Sequence, residues 1–156
     1  MNRLDDPGAE YVLAVIRTGF QNVHGKIRDV IRGLDRESIN WKPHPEANSI
    51  GVLATHLLGS EREMLAAVRG ITISRDRASE FAVDPDPAGL QSMLDEADAW
   101  LEEQTGAMTA TDLNADRPRG DNAPRPALSW LITNYGHARE HVAQMQLTRQ
   151  LYDGRG

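Results

Sequence analysis

The sequence predicts an all-α fold in which four long helices pack as a bundle. Two observations support this prediction. Apolar residues recur every three or four positions over long stretches, which is the spacing of helices that pack on one another. Only 5% of the 156 residues are aromatic while 40% are hydrophobic, and a chain of this length can bury one core, so residues 1–156 are predicted to form a single domain.

The first predicted helix runs from about Pro7 to Leu34. Asp6 can cap its start, and Pro7 suits the first helical position because no backbone donor is needed there. The buried stripe consists of apolar residues at helical spacing: Val12, Val15, Ile16, Phe20, Val23, Ile27, Val30 and Leu34. Two prolines then break the pattern, so residues 41–45 are predicted to be an extended connector, with Trp41 packing it onto the bundle.

The second predicted helix starts near Asn48 or Ser49, either of which can cap it, and continues to about Arg69 before Gly70. Its inward positions are Ile50, Leu53, Ala54, Leu57, Met64, Leu65 and Val68. Residues 70–85 follow as a crossover that combines a short apolar run with a charged one. This composition is compatible with either a short strand or an irregular loop.

The third and fourth predicted helices are separated by a second long segment. The third starts at Pro87 with Asp86 as its cap and ends near Gly106. Its stripe is Leu90, Met93, Leu94, Ala97, Trp100 and Leu101. Residues 109–126 hold three prolines and many polar side chains, which favours a loop over any regular element.

The fourth predicted helix runs from about Pro126 or Ala127 to Tyr152, with Gly154 beyond its end. Its apolar stripe is Leu128, Leu131, Tyr135, Ala138, Val142 and Met145.

Charge and composition argue against several classes of function. The 23 acidic and 17 basic residues give a net charge of −6, which opposes a surface built to neutralise a nucleic-acid backbone. No apolar run approaches the roughly 18 residues that a membrane span needs. Residues 1–6 lack the features of a signal peptide, so we expect a cytoplasmic protein whose partner is a small-molecule substrate, not nucleic acid or a membrane. Because the chain has no cysteine, any metal ion must be held by nitrogen and oxygen ligands.

Two histidines share one face of the fourth predicted helix. His137 and His141 are four residues apart, so their imidazoles project from the same side and can share one metal ion. Asn134 and Gln144 lie on that face as well, where each could hydrogen-bond to a ligating imidazole. The alternative is a partly exposed polar flank without a metal, and deciding between the two requires a third ligand.

The other three histidines have weaker signals. His56 lies at the edge of the apolar stripe of the second helix, where a lone histidine is usually a hydrogen-bonded core or boundary residue unless another helix brings partners. His24 lies beside apolar residues of the first helix, which indicates a structural role. His44 stands between two prolines of the connector and is predicted to be exposed.

Several short motifs, in their order and spacing, resemble the DinB-like family over nearly the whole chain. They are Trp41-Lys42-Pro43, Asn48-Ser49-Ile50, Leu53-Ala54-Thr55-His56-Leu57-Leu58-Gly59-Ser60-Glu61, Arg75-Asp76-Arg77, Glu80-Phe81 and His137-Ala138-Arg139-Glu140-His141-Val142-Ala143-Gln144. The resemblance implies a four-helix bundle in an up-down-down-up order. The long loops between helices 2 and 3 and between helices 3 and 4 are the segments at residues 70–85 and 109–126 predicted above from composition. It also implies a divalent metal ion bound by three histidines, which by position are His56, His137 and His141. Homodimers are common among such relatives.

A three-histidine site suggests metal-dependent chemistry on a small molecule. Three neutral imidazoles leave at least one position open on an ion such as zinc, and nickel suits the same ligands. Relatives in the family resemble thiol transferases that use bacillithiol, mycothiol or glutathione. The hypothesis is therefore that the metal activates a low-molecular-weight thiol, or activates water as in a hydrolase. The alternative is a non-enzymatic bundle that only binds a metal or a ligand.

Acid–base and charged candidates near these histidines are few. Glu61 follows His56 by about one turn, and Glu140 lies between the two histidines of the fourth helix but points away from them; each has a structural interpretation as a flank or surface residue. The two long loops contain five arginines that could form a cationic mouth for an acidic thiol or substrate, although solvated loop charge is the simpler interpretation. They are Arg75, Arg77, Arg117, Arg119 and Arg125.

Overall fold

Four long helices dominate residues 3–155, the part of the chain that the computed structural model describes. The elements in this part are α1 (Asp6–Ile31), α2 (Arg36–Asn40), α3 (Ile50–Val68), α4 (Pro87–Ala107), α5 (Ala110–Asn114), β1 (Asp116–Arg119), β2 (Asn122–Pro126) and α6 (Ala127–Asp153), with a short 3₁₀ helix at Ser79–Phe81. The prediction of a mainly helical protein is confirmed. None of the helices in this part is both long and apolar enough to cross a membrane.

The long helices enclose one apolar core. Both α1 and α3 pack against α4 and α6, so each long helix contacts two others. The largest side chains in the centre are almost completely buried, among them Phe20, Ile27, Leu57, Leu94 and Leu131. Val15 is an exception to the predicted stripe, since it is 54% exposed beside the buried Ile16. The up-down-down-up order of the helices stays a prediction.

The ends of α1 differ from the prediction by a few residues. Asp5, not Asp6, caps the helix, and its side chain accepts a hydrogen bond from the backbone nitrogen of Gly8. The helix ends at Ile31, before Leu34, because Gly33 adopts a positive φ of 73° that is incompatible with a continuing helix.

The segment between α1 and α3 contains a short helix that the sequence analysis missed. A capping box at its start explains it, since Asp35 and Ser38 satisfy each other's backbone donors. The connector that follows packs onto the bundle through Trp41, whose ring lies 5.7 Å from that of Tyr152. Ser49, the second of the two predicted candidates, caps α3.

A turn at the end of α3 starts the crossover to α4. Gly70 has a φ of 70°, and the backbone nitrogens of Gly70 and Ile71 donate to the carbonyls of Ala67 and Ala66. This Schellman arrangement ends the helix and turns the chain. The crossover then contains no strand within the described residues, only the 3₁₀ helix at Ser79–Phe81.

The prediction that residues 109–126 form a loop is wrong. A capping box between Thr109 and Asp112 starts α5, and β1 and β2 form an antiparallel hairpin with Arg117 opposite Arg125. The prolines that suggested a loop are tolerated because a two-stranded sheet has only edge strands, where missing donors face outward. Trp130 fixes the hairpin to α6 through a 2.8 Å hydrogen bond from Nε1 to the carbonyl of Arg117.

Candidate metal centre

Three histidines from two packed helices meet at one point. His56 lies in the middle of α3, while His137 and His141 lie about one turn apart on α6. Each offers a ring nitrogen, and the three nitrogens all lie within 4.8 Å of one another. The Nε2 atoms of His137 and His141 are 2.9 Å apart. The packing of α3 on α6 thus brings together a group that could hold a metal ion.

Hydrogen bonds orient two of the three rings. His56 Nδ1 lies 2.9 Å from Glu80 Oε2, and His141 Nδ1 lies 2.9 Å from Gln144 Oε1. Both partners present an acceptor oxygen, so each Nδ1 donates its hydrogen. In a neutral ring this leaves Nε2 with the lone pair that a metal ion requires, which is the usual arrangement around ligating histidines.

Glu80 is held in place by Arg75. The guanidinium donates to both carboxylate oxygens, from Nε to Oε1 at 2.7 Å and from Nη2 to Oε2 at 2.8 Å. Glu80 is only 7% exposed, and it is satisfied by a cation on one side and an imidazole on the other. The crossover between α3 and α4 therefore contributes directly to the orientation of His56.

Gly59 allows this close approach. It lies on α3 one turn after His56, and a Cβ atom at this position would collide with the carboxylate of Glu80. Any larger residue would push Glu80, and the hydrogen bond to His56 with it, away from the helix. A glycine is therefore needed at position 59 because the Glu80 carboxylate occupies the space of a side chain, not because the backbone conformation requires it.

The electrostatic environment keeps two of the rings neutral. Burial lowers the pKa of His137 to about 4, assisted by the neighbouring His141 and His56 rings and by the cations of Arg119 and Arg75. Burial also lowers the pKa of His56, against the opposing effect of Glu80. Neutral imidazole is the form that binds a metal ion, so no proton has to be removed from these rings at neutral pH.

A pocket of about 370 Å³ opens beside the histidines. His56 and His137 lie in its wall, together with residues of the hairpin and the crossover. Four arginines of these two segments face it: Arg75, Arg77, Arg119 and Arg125. The fifth predicted arginine, Arg117, is directed elsewhere, donating to the carbonyl of Val68.

The other predicted polar candidates occupy different positions. Gln144 is the partner of His141, as described above. Within residues 3–155, Asn134 makes no hydrogen bond to a histidine; its amide donates to Ser60 Oγ at 2.9 Å, because α6 places it one turn before His137 and opposite Ser60. Glu140 is exposed on the surface of α6.

Glu61 belongs to a separate buried cluster and lies outside the three-histidine group. Its Oε2 lies 2.8 Å from Nε2 of His24, and Nδ1 of His24 lies 2.6 Å from Oδ1 of Asp98. Burial lowers the pKa of His24, but the hydrogen bonds and charges of Glu61 and Asp98 outweigh it and raise the pKa above its ordinary value. His24 therefore has a structural role as the hydrogen-bonded link between Glu61 and Asp98 across the bundle, where burial also raises the pKa of the Glu61 carboxyl. His44 is exposed in the connector.

Sequence reasoning missed Glu80 as the partner of His56. Periodicity cannot find it, because Glu80 lies outside the long helices. The one available signal was the Glu80-Phe81 motif of the family resemblance, which turns out to face His56, with the Phe81 ring 4.9 Å from the imidazole.

The fold and the site together define a class of protein: a helical bundle whose packed helices present three histidines that could bind a divalent metal ion. The sequence profile described as DinB superfamily matches residues 20–145. The chain belongs to the DinB superfamily, which confirms the resemblance seen in the sequence.

Two solved structures share the fold. A conserved protein from Enterococcus faecalis is 15% identical with a TM-score of 0.74, and the match covers 91% of this chain and 97% of that chain. A DinB-like protein from Bacillus cereus ATCC 10987 is 18% identical with a TM-score of 0.66, covering 86% and 89%. No curated protein matches the chain significantly.

Proposed function

We propose that this protein is a metal-dependent enzyme that transfers a small-molecule thiol to an electrophilic carbon. The observation that carries the proposal is the geometry of His56, His137 and His141, whose ligand atoms lie within 4.8 Å of one another, with His56 and His137 in the wall of a pocket. Catalysis requires a site that a substrate can reach, and a metal in this position would be accessible from the pocket.

The residues fit a divalent ion of the zinc or nickel type. Three imidazole nitrogens suit both ions, and a set of only three protein ligands is typical of catalytic sites, which keep a position open. Glu80 and Gln144 supply the outer hydrogen bonds that ligating histidines normally make. A bound ion would supply a positive centre that lowers the pKa of a thiol or a water molecule.

The thiol has to come from outside the protein, because the chain contains no cysteine. In the proposed reaction the sulfur forms a bond with the electrophilic carbon, the leaving group departs with the bonding electrons, and the thiol proton passes to solvent. The pocket walls hold the two reactants together beside His56 and His137, which converts an encounter in solution into a reaction at short range.

Two further possibilities use the same group of residues. In a hydrolase, water would take the place of the thiol. In a non-enzymatic bundle, the metal or a small ligand would be bound without turnover. We also retain the predictions of a small-molecule substrate, of a cytoplasmic location and of a homodimer, and the prediction that neither nucleic acid nor a membrane is a partner.

The first test is the metal content of the purified protein after refilling with zinc, measured by elemental analysis. We expect about one ion per chain in the parent and none in the His137→Ala/His141→Ala variant. His44→Ala is the matched control, since His44 is exposed and lies outside the site. A parent chain that binds no zinc, nickel or other divalent ion would overturn the proposal.

The second test is turnover. The zinc-loaded protein should accelerate the conjugation of glutathione to monochlorobimane, with loss of the acceleration in the double histidine variant. Release of nitrophenol from a nitrophenyl ester without any thiol would favour the hydrolase. A protein that binds zinc but accelerates neither reaction, with glutathione or with bacillithiol and mycothiol, would favour the non-enzymatic bundle.

A further inference from the structure

The pocket beside the metal centre concentrates positive charge in a protein that is acidic overall. The chain has a net charge of −6, yet four arginines line this pocket, and Glu63 is the only carboxylate in its lining among residues 3–155. The arginines come from two separate segments, the crossover and the hairpin, which the fold brings to the same pocket.

Two of the four arginines have their charge balanced by carboxylates. Arg75 is paired with Glu80 and also donates to Glu63 at 3.0 Å. Arg119 donates to Glu63 at 3.1 Å and to Ser60 Oγ at 2.7 Å. Both side chains are largely buried, so these two arginines form part of the pocket wall and fix the hairpin and the crossover to α3.

The other two arginines are held without a carboxylate. Within residues 3–155, neither Arg77 nor Arg125 takes part in an ion pair, and both are exposed. Arg77 lies over the ring of Phe81 at 5.5 Å, and Arg125 lies over the ring of Trp130 at 4.3 Å. An aromatic face attracts a guanidinium without accepting its N–H groups as a carboxylate would, so the donors stay available for a ligand.

We propose that this pocket binds the anionic group of a small molecule, a carboxylate or a phosphate, and that Arg77 and Arg125 recognise it. This inference rests on the proposed function, because the anion would position the rest of the ligand beside His56 and His137 in the same wall. Guanidinium groups bind carboxylates and phosphates through paired hydrogen bonds. A volume of about 370 Å³ suits a metabolite and is near the lower end for small-molecule sites.

The test is calorimetric titration of the protein with inorganic phosphate and with succinate, in the zinc-loaded form and after chelation. The Arg77→Gln/Arg125→Gln variant should bind both anions at least about tenfold more weakly than the parent. The matched control is Arg62→Gln/Arg155→Gln, which removes two arginines that also stack on aromatic rings but lie outside this pocket. An equal loss in the control, or no binding of either anion to the parent, would overturn the inference.

The two forms of the protein separate this inference from the proposed function. If the parent protein binds an anion but no zinc, nickel or other divalent ion, the pocket is supported and the enzyme is rejected. If the parent binds a metal ion but neither anion, the pocket alone is rejected. Binding only to the zinc-loaded form, unchanged in Arg77→Gln/Arg125→Gln, shows the anion on the metal and also rejects the pocket. Competition then identifies the source of the anion: displacement of phosphate by glutathione places it on the thiol, and simultaneous binding places it on the electrophile.

Discussion

Glu80 and Gly59 show how single residues determine the orientation of the His56 imidazole. The spacing of His137 and His141 on one helix face predicted either a shared metal ion or a polar flank, and the motif of the family resemblance supplied His56 as the third ligand. The residues that orient the histidines were harder to predict from the sequence. Gln144 shares the helix face of His141 and was predicted, whereas Glu80 lies in an irregular segment where no period exists to place it.

Replacing Glu80 with glutamine should weaken zinc binding. Loss of the negative charge makes Nε2 of His56 a poorer donor to the metal and removes the forked contact from Arg75, and such changes in the outer hydrogen bonds cost about 10- to 100-fold in metal affinity. The measurement is a competition titration against a zinc chelator of known affinity. Glu46→Gln, in the exposed connector, is the control. Equal affinities for parent and Glu80→Gln would show that Glu80 does not support the site.

Adding a single methyl group at Gly59 should have a similar effect by a steric route. Gly59→Ala places a Cβ where the Glu80 carboxylate lies, so we expect weaker zinc binding despite the better helix propensity of alanine. Gly136→Ala is a stringent control, because Gly136 precedes His137 but a Cβ there meets nothing within 4 Å. The control should bind zinc normally and gain about 0.5 to 1 kcal/mol of stability. Loss of zinc binding in both variants would contradict the steric explanation.

At the scale of elements, prediction succeeded for long helices with an apolar stripe and failed for short elements. The starts of α3, α4 and α6 were predicted to within a residue, because apolar stripes begin there and Ser49 and Asp86 cap α3 and α4. The short helix α2 and the hairpin were missed, since neither has room for a repeating pattern. Their causes are local: a capping box at Asp35 and a turn with Gly120 at a φ of 54°.

One hydrogen bond between the hairpin and α6 can be tested alone. Trp130→Phe removes the hydrogen bond to the carbonyl of Arg117 but keeps a ring for Arg125 to stack on. We expect faster amide hydrogen exchange in β1 and β2, from a loss of about 1 kcal/mol, with zinc binding unchanged because the ligands lie on helices. Trp41→Phe, at the contact with Tyr152, should leave the hairpin unaffected. Unchanged exchange in Trp130→Phe would show that other contacts hold the hairpin.

Across the whole molecule, the buried cluster of His24, Glu61 and Asp98 couples stability to pH. Because the folded pKa of His24 is raised above its ordinary value of 6.5, its contribution is complete below about pH 6.5 and is lost as the pH rises through the folded value. His24→Gln should therefore cost roughly 3 kcal/mol of unfolding free energy at pH 6 and clearly less at pH 9.

Urea unfolding of the chelated protein at both pH values measures this difference. His44→Gln serves as the control, since His44 is exposed and should show no cost at either pH. A cost for His24→Gln that is the same at pH 6 and pH 9 would exclude a charged imidazole between the two carboxylates.

Metal binding should also stabilise the entire fold, because its ligands come from α3 and α6. At a zinc concentration about 100 times its Kd, the stabilisation is about 2.7 kcal/mol, which corresponds to a rise in Tm of roughly 5 to 10 °C for a domain of this size. Thermal unfolding with and without zinc measures it. The His137→Ala/His141→Ala variant should show no rise, and a rise of the same size there would indicate zinc binding elsewhere.

The three histidines and the two arginines proposed for anion binding lie on different kinds of element, which affects how ligand preference can evolve. The three histidines lie on helices whose other faces build the core, whereas Arg77 and Arg125 lie on the crossover and the hairpin. Substitutions in those two segments leave the core intact, so ligand preference can diverge while the bundle persists, as loops on a stable scaffold generally allow. We therefore expect relatives that keep the three histidines but differ at these two arginines to select different ligands.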